Sequence, residues 1–178
     1  MNNNIVDLTL NDVVDLTTTP SRLYKAIIPG PPTPLSRAKF LRGRYVNLSK
    51  PKMRQFAAAI KQQIPQCAVA PLFARDEPVE ICIWFLLPRP VRHFEGNRRA
   101  LGRLKESAKR LLFPFVRPDL DNLIKFVLDS VGGLVFVDDS QVVKLTACKI
   151  RDNEGLCEGA TIVHFKEVNE TTIVDKPN

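Results

Sequence analysis

Hydrophobic positions in this chain change period from block to block, and the periods assign the elements. Tyr24 to Ile28 reads as a first strand, stopped by Pro29-Gly30-Pro31-Pro32. Residues 34–47 are basic and irregular, with a small hairpin expected around Arg42-Gly43-Arg44. A helix is predicted from Ser49, with Pro51 in its first turn. Met53, Phe56, Ala57, Ile60 and Ile64 recur at helical spacing and form its core face, with Arg54 and Lys61 opposite and Pro65 ending it. Val79 to Leu87 is a near-continuous apolar run rich in β-formers. Both of its faces are apolar, which places it in the middle of a sheet. Pro88-Arg89-Pro90 closes it, and residues 91–116 read as a basic loop with a short helix over Leu104 to Leu111. A loop that long in a compact domain is usually functional or disordered.

A second helix is expected from about Asp119 to Val131, with Leu120, Leu123, Val127 and Val131 as its buried stripe. Asp121, Lys125 and Asp129, four apart, form a separate polar stripe, and Gly132-Gly133 caps the helix. A short strand is predicted over Leu134 to Val137, then two more over 141–150 and 160–168, joined by a polar turn around Asn153 to Gly155. The order strand, helix, strand, basic loop, helix, three strands implies a two-layer α+β fold, a mixed sheet with helices packed on it, in one domain. Residues 1–20 read as an acidic, flexible N-terminal tail, 21–169 as the domain and 170–178 as a C-terminal tail.

Composition adds limits. At 178 residues, with 44% hydrophobic and 25% charged residues, the chain can bury one core and is neither collagen-like nor wholly disordered. Its longest apolar run, Ile81 to Leu87, falls short of the ~20 residues a bilayer span needs, so no membrane association is expected. No Lys or Arg precedes Arg22, which argues against a secretory or mitochondrial leader. Cys67, Cys82, Cys148 and Cys157 are not spaced as zinc pairs and read as reduced thiols. With only His93 and His164 besides, zinc chemistry has little to work with. An intracellular, reducing location is expected: cytoplasm or nucleoid or, in a eukaryotic setting, the nucleus.

The net charge of +7 is concentrated. Residues 21–64 hold ten Lys and Arg and no Asp or Glu, and a second basic stretch runs from Arg89 to Arg117. Clustered cations on a chain of pI 9.4 are the footprint of a polyanion partner, or else a solvated surface.

The chemistry-bearing segment is Arg117-Pro-Asp-Leu-Asp-Asn-Leu-Ile-Lys125, then Asp129, then Val137-Asp-Asp-Ser-Gln-Val-Val143. Should the strand after the helix return beside the helix start, Asp119, Asp121, Asp138 and Asp139 would converge. Crowded carboxylates repel and raise one another's pKa, and a hard divalent cation removes that cost. Such a cation activates water and neutralises a phosphodiester, and Lys125, one turn after Asp121, can contact the scissile phosphate or the leaving oxygen. The plainer alternatives are a helix cap at Asp119, i,i+4 ion pairs along Asp121, Lys125 and Asp129, and turn chemistry at Asp138-Asp139.

Pro118-Asp-Leu-Asp-Asn-Leu-Ile-Lys125, Asp129, Gly133, Asp138-Asp139-Ser-Gln-Val-Val143 and Lys149 together resemble the RusA family of Holliday junction resolvases. Gly30-Pro31 with the following Arg37 and Lys39, the helix after Tyr45, and Pro88-Arg89-Pro90 extend the resemblance over about residues 22–168. It implies a homodimeric, Mg²⁺-dependent endonuclease (with Mn²⁺ as the substitute cation) that cuts four-way DNA junctions by paired nicks. It implies Asp119, Asp121 and Asp139 as catalytic and metal-binding aspartates, Lys125 as the catalytic lysine, and Asp138 as a lesser ligand. Asn122 and Gln141 match family positions and are assigned no chemistry.

A closed two-fold dimer presents two equal sites to a two-fold junction. Arg37, Lys39, Arg42, Arg44, Arg98, Arg99, Arg103 and Arg117 are the candidate phosphate contacts. Phe113 and Phe115 are expected to pack in the core, the competing reading being wedges between base pairs. The tail carries an echo, Ile5-Val6-Asp7-Leu8-Thr9 and Val13-Val14-Asp15-Leu16-Thr17, outside the resemblance. Each half reads like a SUMO-interacting motif, which binds by adding a strand to a sheet edge. The competing functions are a non-catalytic, architectural branched-DNA-binding protein and a metal-dependent nuclease for flaps, forks or RNA.

Overall fold

The computed structural model describes residues 21–36, 39–41, 43–97, 102–152 and 157–168. Its centre is a four-stranded sheet built from β1 (Leu23–Pro29), β4 (Val79–Leu87), β5 (Val142–Arg151) and β6 (Ala160–Glu167), in the order β1-β6-β4-β5. β6 runs antiparallel to both β1 and β4, whereas β4 and β5 are parallel. The sheet is therefore mixed, as expected for an α+β chain. A separate hairpin pairs β2 (Lys39–Leu41) with β3 (Arg44–Val46), flanking Gly43.

Two helices, α1 (Lys50–Gln63) and α3 (Leu120–Val131), cover one face of the sheet. The pleat alternates side chains between faces, so Ile81, Ile83 and Phe85 of β4 and Val163 and Phe165 of β6 point at the helices. Phe56 and Ile60 of α1 meet them, and Phe56 lies edge-on to Phe126 of α3 with ring centroids 5.7 Å apart. Such a pair adds ~0.5–1.5 kcal/mol to the burial itself. The buried face of α3 comprises Leu123, Phe126, Val127, Ser130 and Val131. Leu120, expected in that stripe, is only half buried, and Phe126 takes its place. The reason is that α3 packs against α1 as well as the sheet, which turns its apolar face toward Phe126.

The predicted strand over Leu134 to Val137 is not formed. Leu134 and Val135 N–H both donate to the Val131 carbonyl, and Gly133 N–H donates to the Phe136 carbonyl. These bonds wind the backbone into a turn after α3. Its apolar residues are buried all the same, since Leu134, Val135 and Phe136 enter the core. Among the described residues, two strands, not three, therefore follow α3.

The described residues of the 91–116 segment carry more regular bonding than a loop reading suggests. Phe94 bridges Leu104, Glu95 N–H donates to the Arg103 carbonyl, and α2 (Glu106–Lys109) follows. Fully buried Arg89 anchors this strap, its Nε donating to the Asp152 carbonyl and its Nη1 to that of Ala108.

The two edges of the sheet differ. At β1 the Gln63 side chain accepts from Ile27 N–H and donates to the Ile27 carbonyl, both at 2.8 Å, as a neighbouring strand would. At β5 the end of the strand is covered, because Arg151 N–H donates to the Leu112 carbonyl at 2.8 Å. Its earlier part carries Val143 and Leu145, which are 59% and 40% exposed. Gly159 (φ +116°) lets the loop before β6 cross the Gly30-Pro31 turn, since a Cβ there would lie 2.8 Å from Pro31 Cα. The four cysteines are free, and no helix among the described residues is long and apolar enough to cross a membrane.

Candidate active site

Asp119 occupies the N-cap position of α3 with extended backbone (φ −71°, ψ 143°), where an Asp side chain usually accepts from the first turn. It makes no such capping bond. Its carboxylate is therefore not consumed by its own helix. Asp121 follows in the first turn, favoured there by the helix dipole. Lys125 Nζ lies 3.4 Å from Asp121 Oδ2, with both side chains mostly in solvent. The i,i+4 pairing is thus real, and at this exposure it contributes only ~0.3–0.5 kcal/mol.

The approach to this helix start is held from β5. Lys149 Nζ donates to the carbonyls of Val116 and Pro118, each at 2.9 Å. The Arg117–Pro118 peptide is cis. Asn122 contributes through its backbone, its carbonyl accepting from Leu35 N–H at 2.8 Å, which draws the 30–36 loop onto the helix start.

Asp138 and Asp139 sit in a different setting. Asp138 caps a short 3-10 turn, Asp139–Gln141, its Oδ1 accepting from Ser140 N–H at 3.0 Å. Hydrogen bonding from Ser140, through side chain and backbone, holds the Asp138 carboxyl below the usual carboxylate range. Gln141 completes a reciprocal capping box: its Oε1 accepts from Val137 and Asp138 N–H at 2.8 and 3.0 Å. Its Nε2 donates to the carbonyls of Ala74 and Glu77. Buried Gln141 is therefore an organiser of the turn. The 72–77 loop it holds is gripped from the other side by Arg22, which bonds the Leu72 carbonyl, pairs with Glu77 and Glu167, and stacks on Phe73.

The two aspartate pairs do not meet within one chain. The 12 residues of α3 separate them by about 18 Å along the axis. β5 gives the same answer, because Asp139 lies just before its first residue, Val142, whereas Lys149, near its end, touches Pro118. Seven residues of extended strand span roughly 23 Å. Among the described residues, no three His, Cys, Asp or Glu side chains lie close enough to hold a metal ion. The expected convergence of three or four carboxylates on one helix start thus fails for a single chain. It failed because 134–137 stays at the far end of α3 instead of returning along it. The donor set is all carboxylate, which suits a hard cation, but one chain offers it only in pairs.

Described parts of the two basic stretches start from one end of the sheet. β1 ends at Pro29 against Ala160, which pairs with Leu86, and Leu87 pairs with Arg151. Residues 30–36 and residues 88–97 therefore leave the sheet at one end, and Lys149, near the same end of β5, holds Pro118 at the approach to α3. Arg44, Arg103 and Arg117 are exposed, and Arg103 forms a 3.6 Å pair with Glu95. Lys39 is described only as part of β2. Arg37, Arg42, Arg98 and Arg99 lie outside the described residues, as do the tail segments with Ile5, Val6, Asp7, Leu8, Val13, Val14, Asp15 and Leu16.

Phe113 and Phe115 do not pack in the core, being 71% and 94% exposed. Buried Pro114 lies between them, and the neighbouring backbone is tied down at Leu112 and Val116, so both rings are turned outward. Sequence reasoning also missed the clamp by Lys149 and the anchoring role of Arg89. The pattern offered one hint of each, a lysine late in β5 and an arginine between two prolines.

Residues 29–158 match the family model described as Endodeoxyribonuclease RusA. A relative, an uncharacterized protein called YqaN from Bacillus subtilis (strain 168), is 45% identical over 67 residues. That match spans 37% of this chain and 45% of the relative, less than half the length of either. The family match takes in the Asp119-to-Lys125 helix start, the Asp138-Asp139 turn and most of both basic stretches, and on it the chain belongs to the RusA endodeoxyribonuclease family.

Proposed function

We propose that this protein is a homodimeric, Mg²⁺-dependent endonuclease that recognises four-way DNA junctions and cuts them by paired nicks. The observation that carries the reading is that residues 30–36, residues 88–97 and the approach to the Asp119-Asp121 helix start all lie at one end of the sheet. A polyanion drawn to that end meets two exposed carboxylates and Lys125. Family membership supplies the reaction class.

The dimer is part of the proposal because one chain holds its carboxylates in two separate pairs. Two copies joined antiparallel along the exposed part of β5, around Val143 to Ala147, would set the start of one strand beside the end of the other. That arrangement brings Asp139, with Asp138 beside it, toward the Asp119-Asp121 end of the second copy. Asp119, Asp121 and Asp139 would then hold the cation together, and Mn²⁺ has the same oxygen preference. When bound, the cation supplies an activated water and charge neutralisation at the phosphodiester. Lys125 keeps a positive charge beside Asp121, directed at the phosphate or the leaving oxygen. Gln141 and Lys149 fix the two backbone segments that carry the carboxylates.

The test is cleavage of an immobile four-way junction beside linear duplex, flap and single strand, with Mg²⁺ or EDTA, for wild type and Asp121→Asn. Paired nicks on the junction, lost in EDTA and in the variant, support the proposal. Tight junction binding without cutting favours an architectural role, and preference for flaps or RNA moves the substrate. For the tail, the reading as a docking segment for a SUMO-like partner is tested by chemical-shift titration of a peptide of residues 1–20. Silence at millimolar peptide removes it.

A further inference from the structure

Resting on the nuclease reading, we infer that Phe113 and Phe115 form a fixed aromatic wedge that stacks against unpaired or strained bases at the branch point of the DNA. The rings are 71% and 94% exposed, a costly placement for two large apolar side chains in water. They are not on a loose loop. Before them, the Leu111 and Leu112 carbonyls accept from Arg151, and after them Lys149 Nζ holds the Val116 and Pro118 carbonyls. Pro114 is buried between them. The backbone is thus pinned on both sides of two outward rings, so presenting them costs no ordering at the moment of binding.

Position and charge choose the occupant. Phe115 lies four residues before Asp119, and the segment is bracketed by exposed Arg110 and Arg117, cations that suit phosphates on either side of an inserted ring. A nucleobase offers an aromatic face whatever its identity, and stacking on aromatic side chains is sequence-tolerant. Bases at a crossover are cheap to unstack because their continuity is already broken. A linear duplex lacks such a step, so the wedge favours branched over linear DNA without reading base edges.

The experiment uses the full chain carrying Phe115→Trp, with wild type supplying the background of Trp84. In EDTA, addition of a four-way junction should quench the new tryptophan emission, and the same phosphate concentration of linear duplex should not. In parallel, Phe115→Ala should bind the junction about tenfold more weakly, with duplex binding changed less than about twofold and an unchanged Tm. Junction binding with unaltered emission and unaltered affinity in Phe115→Ala would overturn the wedge and leave the nuclease reading standing. Emission already shifted without DNA, and restored on dilution, would overturn it by assigning the rings to a contact between two copies. Absence of junction binding by wild type would overturn both readings.

Discussion

At the start of α3, Asp119 stands where a cap would stand and does not cap, while Asp121 faces solvent beside Lys125. At the other end, Asp138 accepts from Ser140, Gln141 returns bonds to Val137 and Asp138, and Asp139 opens the turn so formed. One end leaves Asp119 uncapped and ties Asp121 only through an exposed i,i+4 pair, whereas the other builds Asp138 into a capping box. The difference teaches that a residue of the same type, in the same motif, is available for chemistry in one place and committed to architecture in the other. It also separates the members of the second pair, because Asp138 is committed to the turn and Asp139, next to it, is exposed.

The comparison breaks most visibly through mixing. Asp121→Asn and Asp139→Asn should each lose junction cutting by about 10²-fold or more. When co-refolded, the two variants should recover cutting, with one nick per junction, because a heterodimer then holds one intact set of carboxylates and one doubly altered set. A site contained within one chain would show no recovery, so the strand-nick assay decides between the arrangements.

A smaller effect separates the organiser Gln141 from Asp121, the proposed ligand. Gln141→Leu leaves buried partners at both ends of its side chain unsatisfied and should cost about 2–3 kcal/mol, lowering Tm by roughly 5–10 °C. Asp121→Asn should leave Tm nearly unchanged. Thermal melts without metal check both, and an equal loss in the two variants would erase the distinction drawn between the ends of α3.

Lys149→Met tests the clamp on the approach to α3. It should slow junction cutting about tenfold while shifting Tm by only a few degrees, and hydrogen exchange should rise over 112–120 with 137–141 unaffected. Exchange rising equally at both ends would mean that the lysine supports the whole fold and not that approach.

The smallest effect concerns the strap and the sheet. His93 is depressed chiefly by burial and then by Arg151, Arg89, Arg92 and Lys105, and His164 by burial and then Lys25. Depressed histidines bind fewer protons in the folded chain than in the unfolded one. Their contribution is full above about pH 6.5 and is lost as pH falls toward the folded values. The unfolding free energy should therefore decline below about pH 6.5, by at most about 1.4 kcal/mol per pH unit for each histidine, as denaturant titrations would show. His93→Gln should flatten that decline, and an unchanged slope would remove His93 from the account.

Much of the scaffold was legible along the chain because single periods dominate it. The core face of α1 through Phe56 and Ile60, the central position of β4 and the extents of β5 and β6 all follow from local alternation. The buried face of α3 was displaced toward Phe126 because two neighbours press on it, which a single stripe does not encode. Leu134-Val-Phe-Val has the composition of a strand, and only the hydrogen bonds back to Val131 show that it is a turn. The site was legible in its residue types and not in its assembly. Spacing places Asp119 and Asp121 together and Asp138 and Asp139 together, but it does not say at which end of α3 the second pair comes to rest. Phe113 and Phe115 were misplaced for a related reason. An aromatic pair in an apolar stretch looks like core until the anchors on either side turn it out.

The Gln63 side chain on the outer margin of β1 has a consequence for assembly. A sheet that can be lengthened at both margins invites unlimited head-to-tail growth, whereas one blocked at one margin has a single valency left. If copies join along β5, each carries to the outside a margin already taken up at Ile27, which disfavours further joining beyond two. Stoichiometry is then governed by an amide on a helix far from the joint, and a change at Gln63 would be read in particle mass, as a drift from pairs toward chains.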